Sequence, residues 1–516
     1  MFMDIVLLFE VHQPYRLRRE IALELLERGL KREIGLESLE EVLFDNDLNK
    51  LVIERASEKC YIPATRIMYE NIVRYMDWDR PFKVSYSISG VFIEQIKRWK
   101  PEVMDLFRKI LDTGLVEFVE QTYYHSLAAF MPLVDWAELR EQIYEHRKLM
   151  EEEFGYKPVS IENTEFSYNN DIACLFHSMG YKVVLTEGVD WLLGWRSPNY
   201  VYRAYGCDMK VLTRNYRLSD DIGYRFSDRN WDQYPLTADK YSAWLSATPG
   251  DVVLIAIDYE TIGEHHWPET GIYEFFKWLP GEVLKYKHLS FSTPREVVDK
   301  YPARDVYDVP PWSTISWADE RDLSAWLGNE MQRTAFKILV DLRTYVKALD
   351  NPVITRLWKL LTISDHFYYI ATKHGSLEAV HSYFSPYKNT YLAYGVLLQA
   401  LSILSSFIYD EIGKRRSEVL KKIRLPSDKA FHFTTIDGAY TGVSAHSLQE
   451  FVEAIDKLPL DSIINHLNRR DIQKWLTHIF GLDDVAVELD MLVEEKIYGD
   501  ELRNRVKKII LDKLQL

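Results

Sequence analysis

The sequence predicts an α/β fold with a mostly parallel sheet over its first 300 residues, on three observations. Seven short apolar runs, at residues 4–10, 83–88, 115–119, 159–162, 182–186, 210–213 and 252–257, have the length and composition of strands. Amphipathic helical patterns separate them, among them residues 22–32, 69–75 and 137–153. Polar and ionisable residues cluster just after the runs. Strand and helix in alternation imply parallel pairing with both sheet faces covered. About seven such units suit a closed or nearly closed β/α barrel. Periodicity alone does not separate that from a doubly wound open sheet.

Active-site groups in a β/α barrel project from the C-terminal ends of the strands. His12-Gln13-Pro14 follows the first run, and Glu120 and His125 the third. Glu162-Asn163-Thr164-Glu165 ends the fourth, Glu187 and Asp190 follow the fifth, and Arg214 the sixth. Asp258-Tyr259-Glu260 follows the seventh, with His265-His266-Trp267 soon after. Asp258 stands at the mouth of an unbroken apolar run. Partial desolvation there raises a carboxyl pKa and suits a proton donor; a helix N-cap suits the same position. Two carboxylates on the ends of different strands, here Asp258 with Glu162 or Glu165, are the equipment of a glycosidase. A buried ion pair with arginine is the structural alternative for either Glu. A metal held by His12, His125 and Asp258, as in a barrel deacetylase, is a further arrangement. Nucleotide-binding and serine-hydrolase motifs are absent from the sequence.

Composition narrows the class. The chain has 516 residues and a formal charge of −15, which argues against a nucleic-acid partner. Three cysteines are too few for a disulfide framework and include no C-x-x-C pair, which favours a reducing, cytoplasmic setting. The N-terminus lacks the basic region of a signal peptide. Residues 389–409 carry no charge over a length that spans a bilayer. Gly395, Gln399, Ser402, Ser405 and Ser406 form a polar stripe along it, which fits a buried amphipathic helix better. Scarce Gln and Cys with plentiful Glu, Lys and Arg suit a thermophilic host. A Pro-rich stretch around residues 301–311 marks a boundary. We expect a barrel at 1–305, a helical domain at 306–425 and a small α+β module at 426–516, with a strand at residues 430–435.

The motifs carry a resemblance. Phe9-Glu10-Val11-His12-Gln13-Pro14, Gly114-Leu115-Val116-Glu117, Asn163-Thr164-Glu165-Phe166-Ser167-Tyr168, Asp258-Tyr259-Glu260-Thr261-Ile262-Gly263-Glu264-His265 and Ser316-Trp317 through Gly328-Asn329 resemble, in order, the five sequence regions of glycoside hydrolase family 57. The versions here look most like its α-amylase members. Ile262 departs from the Phe expected there, an apolar exchange.

The resemblance implies an incomplete (β/α)7 barrel with a helical bundle completing the cleft. It implies a retaining mechanism on α-1,4-linked glucans, without metal or other cofactor, in a monomer or homo-oligomer that engages neither nucleic acid nor membrane. By position Glu165 matches the nucleophile and Asp258 the general acid/base. His12, Glu117, Glu260, His265 and Trp267 match substrate-contacting or supporting positions, and Trp317, Asp322 and Trp326 line the cleft from the helical side. A packing role is the alternative for each tryptophan. Hydrolysis, 4-α-glucan transfer and branching share this machinery. A metal-dependent polysaccharide deacetylase and a non-catalytic glucan-binding protein stand as readings from other classes.

Overall fold

The computed structural model describes residues 2–30, 35–131, 136–372, 385–387, 389–495, 497 and 499–514. Its strands are β1 (Met3–Val11), β2 (Val84–Ile88), β3 (Val116–Val119), β4 (Ser160–Glu162), β5 (Val183–Glu187), β6 (Val201–Ala204), β7 (Lys210–Arg214), β8 (Val252–Asp258), β9 (Leu289–Phe291), β10 (Val306–Tyr307), β11 (Phe431–Thr434) and β12 (Tyr440–Ala445). The seven expected runs are β1 to β5, β7 and β8. The short β6, β9 and β10 lacked a run long enough to read.

Those seven strands form a nearly closed parallel ring in the order β1-β2-β3-β4-β5-β7-β8 and back to β1. Two seams are thin. β3 meets β4 only through the Glu120–Ile161 bridge, and β7 meets β8 at the single pair Arg214–Leu254. The open-sheet alternative is thereby set aside. Outside the ring, β6 runs antiparallel to β7 and carries β10.

Period-two alternation sorts each strand. Val6 and Leu8 join Leu185, Leu212, Leu254 and Ala256 in the barrel interior. Ile5, Leu7 and Phe9 join Val253, Ile255 and Ile257 in the layer against the helices. The helix Pro294–Lys300 caps the N-terminal end. Its Val297 belongs to the interior cluster, and Lys300 Nζ donates to Asp4 at 2.6 Å.

Beyond the barrel, the helices Glu330–Leu349, Pro352–Leu360 and Thr390–Lys414 pack together, and their core continues into the terminal helices as far as Ile510. The helix Thr390–Lys414 is long and apolar enough to cross a membrane by length and composition alone. It buries Val396, Leu397, Leu401 and Leu404 and exposes Gly395, Ser402 and Ser406, along the expected polar stripe. Lys359, itself buried, joins the helical segment to the barrel-side helix Ala137–Phe154 through Glu141 (2.6 Å) and Glu145 (2.5 Å). The expected 22–32 helix is Ile21–Leu30, and residues 31–32 lie outside the described residues.

The cysteine count takes a correction. Cys174 and Cys207 form a disulfide that ties the helix Asn170–Ser178 to the β6–β7 connection. Three cysteines exclude a framework but leave room for one bridge, so their number carries no argument about compartment.

Candidate active site

The C-terminal ends of the strands open into a cavity of about 230 Å³. Glu165 reaches it from an unusual turn. β4 ends at Glu162, and Glu165 and Phe166 then take left-handed backbone conformations (φ 62° and 53°). Such strain persists only where surroundings enforce it. Thr186 Oγ1 donates to the Phe166 carbonyl at 2.9 Å, and the Thr164 and Thr122 hydroxyls lie 2.8 Å apart. The Phe166 ring meanwhile plugs the barrel and stacks on Trp317, 4.8 Å between centroids.

Three groups hold the Glu165 carboxyl. Trp317 Nε1 donates to Oε2 at 2.8 Å and Ser364 Oγ donates to Oε1 at 2.9 Å. His125 Nε2 lies 3.4 Å from Oε1. Two of the three come from beyond residue 305. Ser364 opens the short helix Ser364–Tyr368, whose first N–H donates to the His125 carbonyl at 3.0 Å and docks it on the barrel mouth.

Asp258 ends β8 and faces the same cavity. Burial, then the Glu165 charge, pushes its pKa up to about 7, against the pull of Arg214 and His125. Glu260 is pushed up to about 8 by burial and the Asp258 charge. It accepts from Tyr61 Oη, and from Gln13 Nε2 at 3.3 Å. Gly263 (φ 107°) lets this loop turn back. A Cβ there would fall 1.9 Å from the Lys59 carbonyl oxygen.

Two imidazoles stack at the mouth, His12 on His125, 4.1 Å between centroids. Burial and the charge of His125 push His12 down to about 4, so His12 is neutral. Its Nε2–H then donates to Asp365 at 3.0 Å and its Nδ1 accepts from Ser89 Oγ at 2.7 Å. Burial opposes the charge of His125 as well, yet Glu165, Glu10 and Asp365 around it raise its pKa to about 9. Arg321 pins the 316–329 loop to the barrel through Glu187, 2.9 Å away, which also pairs with Arg214 at 2.9 Å.

A family model described as glycosyl hydrolase family 57 matches residues 6–310. A Methanocaldococcus jannaschii protein assigned by name to the alpha-amylases is 45% identical over 79% of this chain and 85% of its own length. The chain belongs to glycosyl hydrolase family 57. An alpha-amylase of Pyrococcus horikoshii is 25% identical over 51% of this chain, but only 41% of its own length is covered. Among solved structures, the family 57 branching enzyme of Pyrococcus horikoshii superposes with a TM-score of 0.55 at 14% identity, over 80% of this chain and 92% of its own. The 4-alpha-glucanotransferase of Thermococcus litoralis gives 0.52 at 15%, over 86% of this chain and 63% of its own. These two likenesses bear on the fold.

In this family 57 chain, Glu165, Asp258, His12, Glu260, His265, Trp317 and Trp326 border one cavity. Three expected residues do not. Glu117 lies at the opposite end of the barrel, accepting from Ser160 Oγ and, at 3.1 Å, from the Arg295 N–H. Trp267 is 61% exposed outside the cavity, with Lys59 Nζ 5.6 Å from its ring. Asp322 caps the helix Ser324–Leu327, accepting from the Ser324 N–H at 2.8 Å. The His12, His125 and Asp258 metal arrangement is corrected too. Each imidazole nitrogen already faces Ser89, Asp365, Gln121 or Glu165. Among the described residues no group of three or more His, Cys, Asp or Glu is arranged to hold a metal. Sequence reasoning missed Ser364, Asp365, Tyr368 and Tyr224. All but Ser364 line the cavity, and no apolar run or motif marks them.

Proposed function

We propose that the chain is a retaining glycosidase of α-amylase type, cleaving α-1,4-linked glucans through a covalent glycosyl-enzyme. The observation that carries this is the convergence of Glu165 and Asp258 on one cavity, Glu165 among hydrogen-bond donors and Asp258 with a raised pKa. Glu165 is surrounded by donors, from Trp317, Ser364 and His125. Those donors fix the carboxyl in place to attack C1. Asp258 is buried and faces the Glu165 charge, which keeps it protonated near neutrality and able to donate to the departing glycosidic oxygen. After the first displacement Glu165 is esterified and its charge is gone. The Asp258 pKa then falls and it becomes the base that activates water. The alpha-amylase names of the relatives support the glucan substrate.

Maltoheptaose incubated with the protein tests the reading. New reducing ends with shorter products, initially in the α-anomeric form by NMR, are expected. Longer products at constant reducing power would make the acceptor a sugar hydroxyl and the enzyme a transferase. Azide is expected to restore turnover to Glu165→Ala, yielding a glycosyl azide of inverted configuration. Undiminished hydrolysis by Glu165→Ala without azide would overturn the assignment.

A further inference from the structure

Beside Asp258, with which Glu10 pairs in register on the wall of the same cavity, the barrel buries a second pair of carboxyls that the proposed mechanism does not use. Glu10 on β1 and Glu162 on β4 are 4% and 1% exposed, and each carboxyl lies against the other. One Glu10 oxygen accepts from Gln121 Nε2 at 2.8 Å. The Glu162 carboxyl faces Glu10 and the Ser87 hydroxyl. Two carboxyls buried together with so few donors are costly as two anions. Two facing carboxyls relieve this by keeping one proton between them. Burial, then the facing Glu162 charge, raises Glu10, and burial leads in raising Glu162 to about 7. The pair then carries one negative charge.

That charge has one imidazole beside it. His125 Nδ1 is 3.4 Å from Glu10 Oε1 and 2.9 Å from Gln121 Oε1. The Gln121 amide also reaches Ser87 Oγ at 2.9 Å, so its orientation is fixed from three sides. The far nitrogen of the same ring is the one 3.4 Å from Glu165. A line of contacts therefore runs from Glu162 through Glu10 and His125 to Glu165. The titratable groups facing His125 are Glu10 and the stacked His12 from the first strand and its loop, Glu165 after β4, Asp258 on β8 and Asp365 on the helical segment. Glu10 is the one of these carboxyls that lies against Nδ1, the nitrogen away from Glu165.

We infer that Glu10 is a positioning residue for the reaction: its carboxyl, set against Glu162, holds His125 as an imidazolium with its far nitrogen toward Glu165. The inference rests on the reading of Glu165 as nucleophile. Glu10 reaches Glu165 through the His125 ring, from the cavity wall beside Asp258.

Two isosteric variants separate this role from a structural one, because they push in opposite directions. Glu10→Gln removes the charge under His125. The acid limb of the kcat/KM profile on maltoheptaose is expected to move up by about one pH unit, with kcat about tenfold lower. Glu162→Gln removes the carboxyl that competes for charge and leaves Glu10 ionised throughout, so the same limb is expected to move down. Limbs that stay in place in Glu10→Gln, or that move the same way in both variants, overturn the inference. Should Glu10→Gln fail to fold, an NMR titration of isotopically labelled histidine in the parent protein decides. The His125 signal, assigned with His125→Asn, is expected to stay protonated past pH 8, and loss of its proton below pH 7 overturns the inference. A Glu165→Gln variant that retains turnover would instead refute the nucleophile, and the titration would still judge the link between Glu10 and His125.

Discussion

At the N-terminal end of the barrel, Asp4 and Glu117 are 1% and 3% exposed, as deeply buried as Glu10 and Glu162 at the C-terminal end. Their surroundings differ in kind. Asp4 accepts from Ser292 Oγ at 2.9 Å and Lys300 Nζ at 2.6 Å, and Glu117 from Ser160 and the Arg295 N–H. The partners come from β4, the turn after β9 and the capping helix. Burial raises Glu117 against the pull of its donors, whereas at the C-terminal end Glu10 and Glu162 face each other, Asp258 and Glu260 are raised to about 7 and 8, and a cavity separates barrel from helical segment. One fold thus buries carboxyls in two ways. Full pairing makes a joint that stabilises. Partial pairing stores the charge imbalance that proton transfer uses.

The contrast is open to breakage from either end. The largest effect belongs to the cavity carboxyls. Glu165→Gln and Asp258→Asn are each expected to lower kcat by at least about 10⁴-fold while the thermal melt stays within a few degrees. Turnover and calorimetry on one preparation check both halves. Trp317→Phe removes one charge-assisted hydrogen bond from Glu165, about 1.5–3 kcal/mol, so kcat is expected to fall roughly 10- to 100-fold. Next comes pH. Asp258 is the acid and its pKa is about 7. Its protonated fraction, and with it kcat/KM, is expected to fall about tenfold per pH unit above that value, and a basic limb absent up to pH 9 would deny Asp258 the role. The smallest effect on turnover is expected at the far end. Glu117→Ala leaves Ser160 and the Arg295 N–H without their acceptor, a loss of about 2–4 kcal/mol in stability. Activity per folded molecule should stay within about threefold, and a hundredfold loss there would end the distinction between the two ends.

The strands were readable because runs such as Val252 to Ile257 bury both faces of a parallel sheet and so are apolar throughout. Glu165 and Asp258 stood out because they break such runs or follow them closely. Glu117 interrupts an apolar run in the same way, and in the structure it shares the inward face with Val119. Its height in the barrel was not readable. Register pairs Glu117 with Ser85, whereas Glu10 pairs two residues further up with Ser87. Ser364 and Asp365 gave no signal because they act across some 200 and 350 residues of sequence, from an otherwise ordinary helix start.

Sequence by itself determined the strand runs and the family motifs, because apolar runs and short-range spacing are local properties of a chain. Tertiary structure alone decided which inward carboxyls are paired and which are left wanting. That depends on how far each strand slides against its neighbour, on the capping helix at one end, and on the docking of the helix Ser364–Tyr368 at the other. Burial energy fixes these through contacts between segments hundreds of residues apart, and no local pattern encodes them.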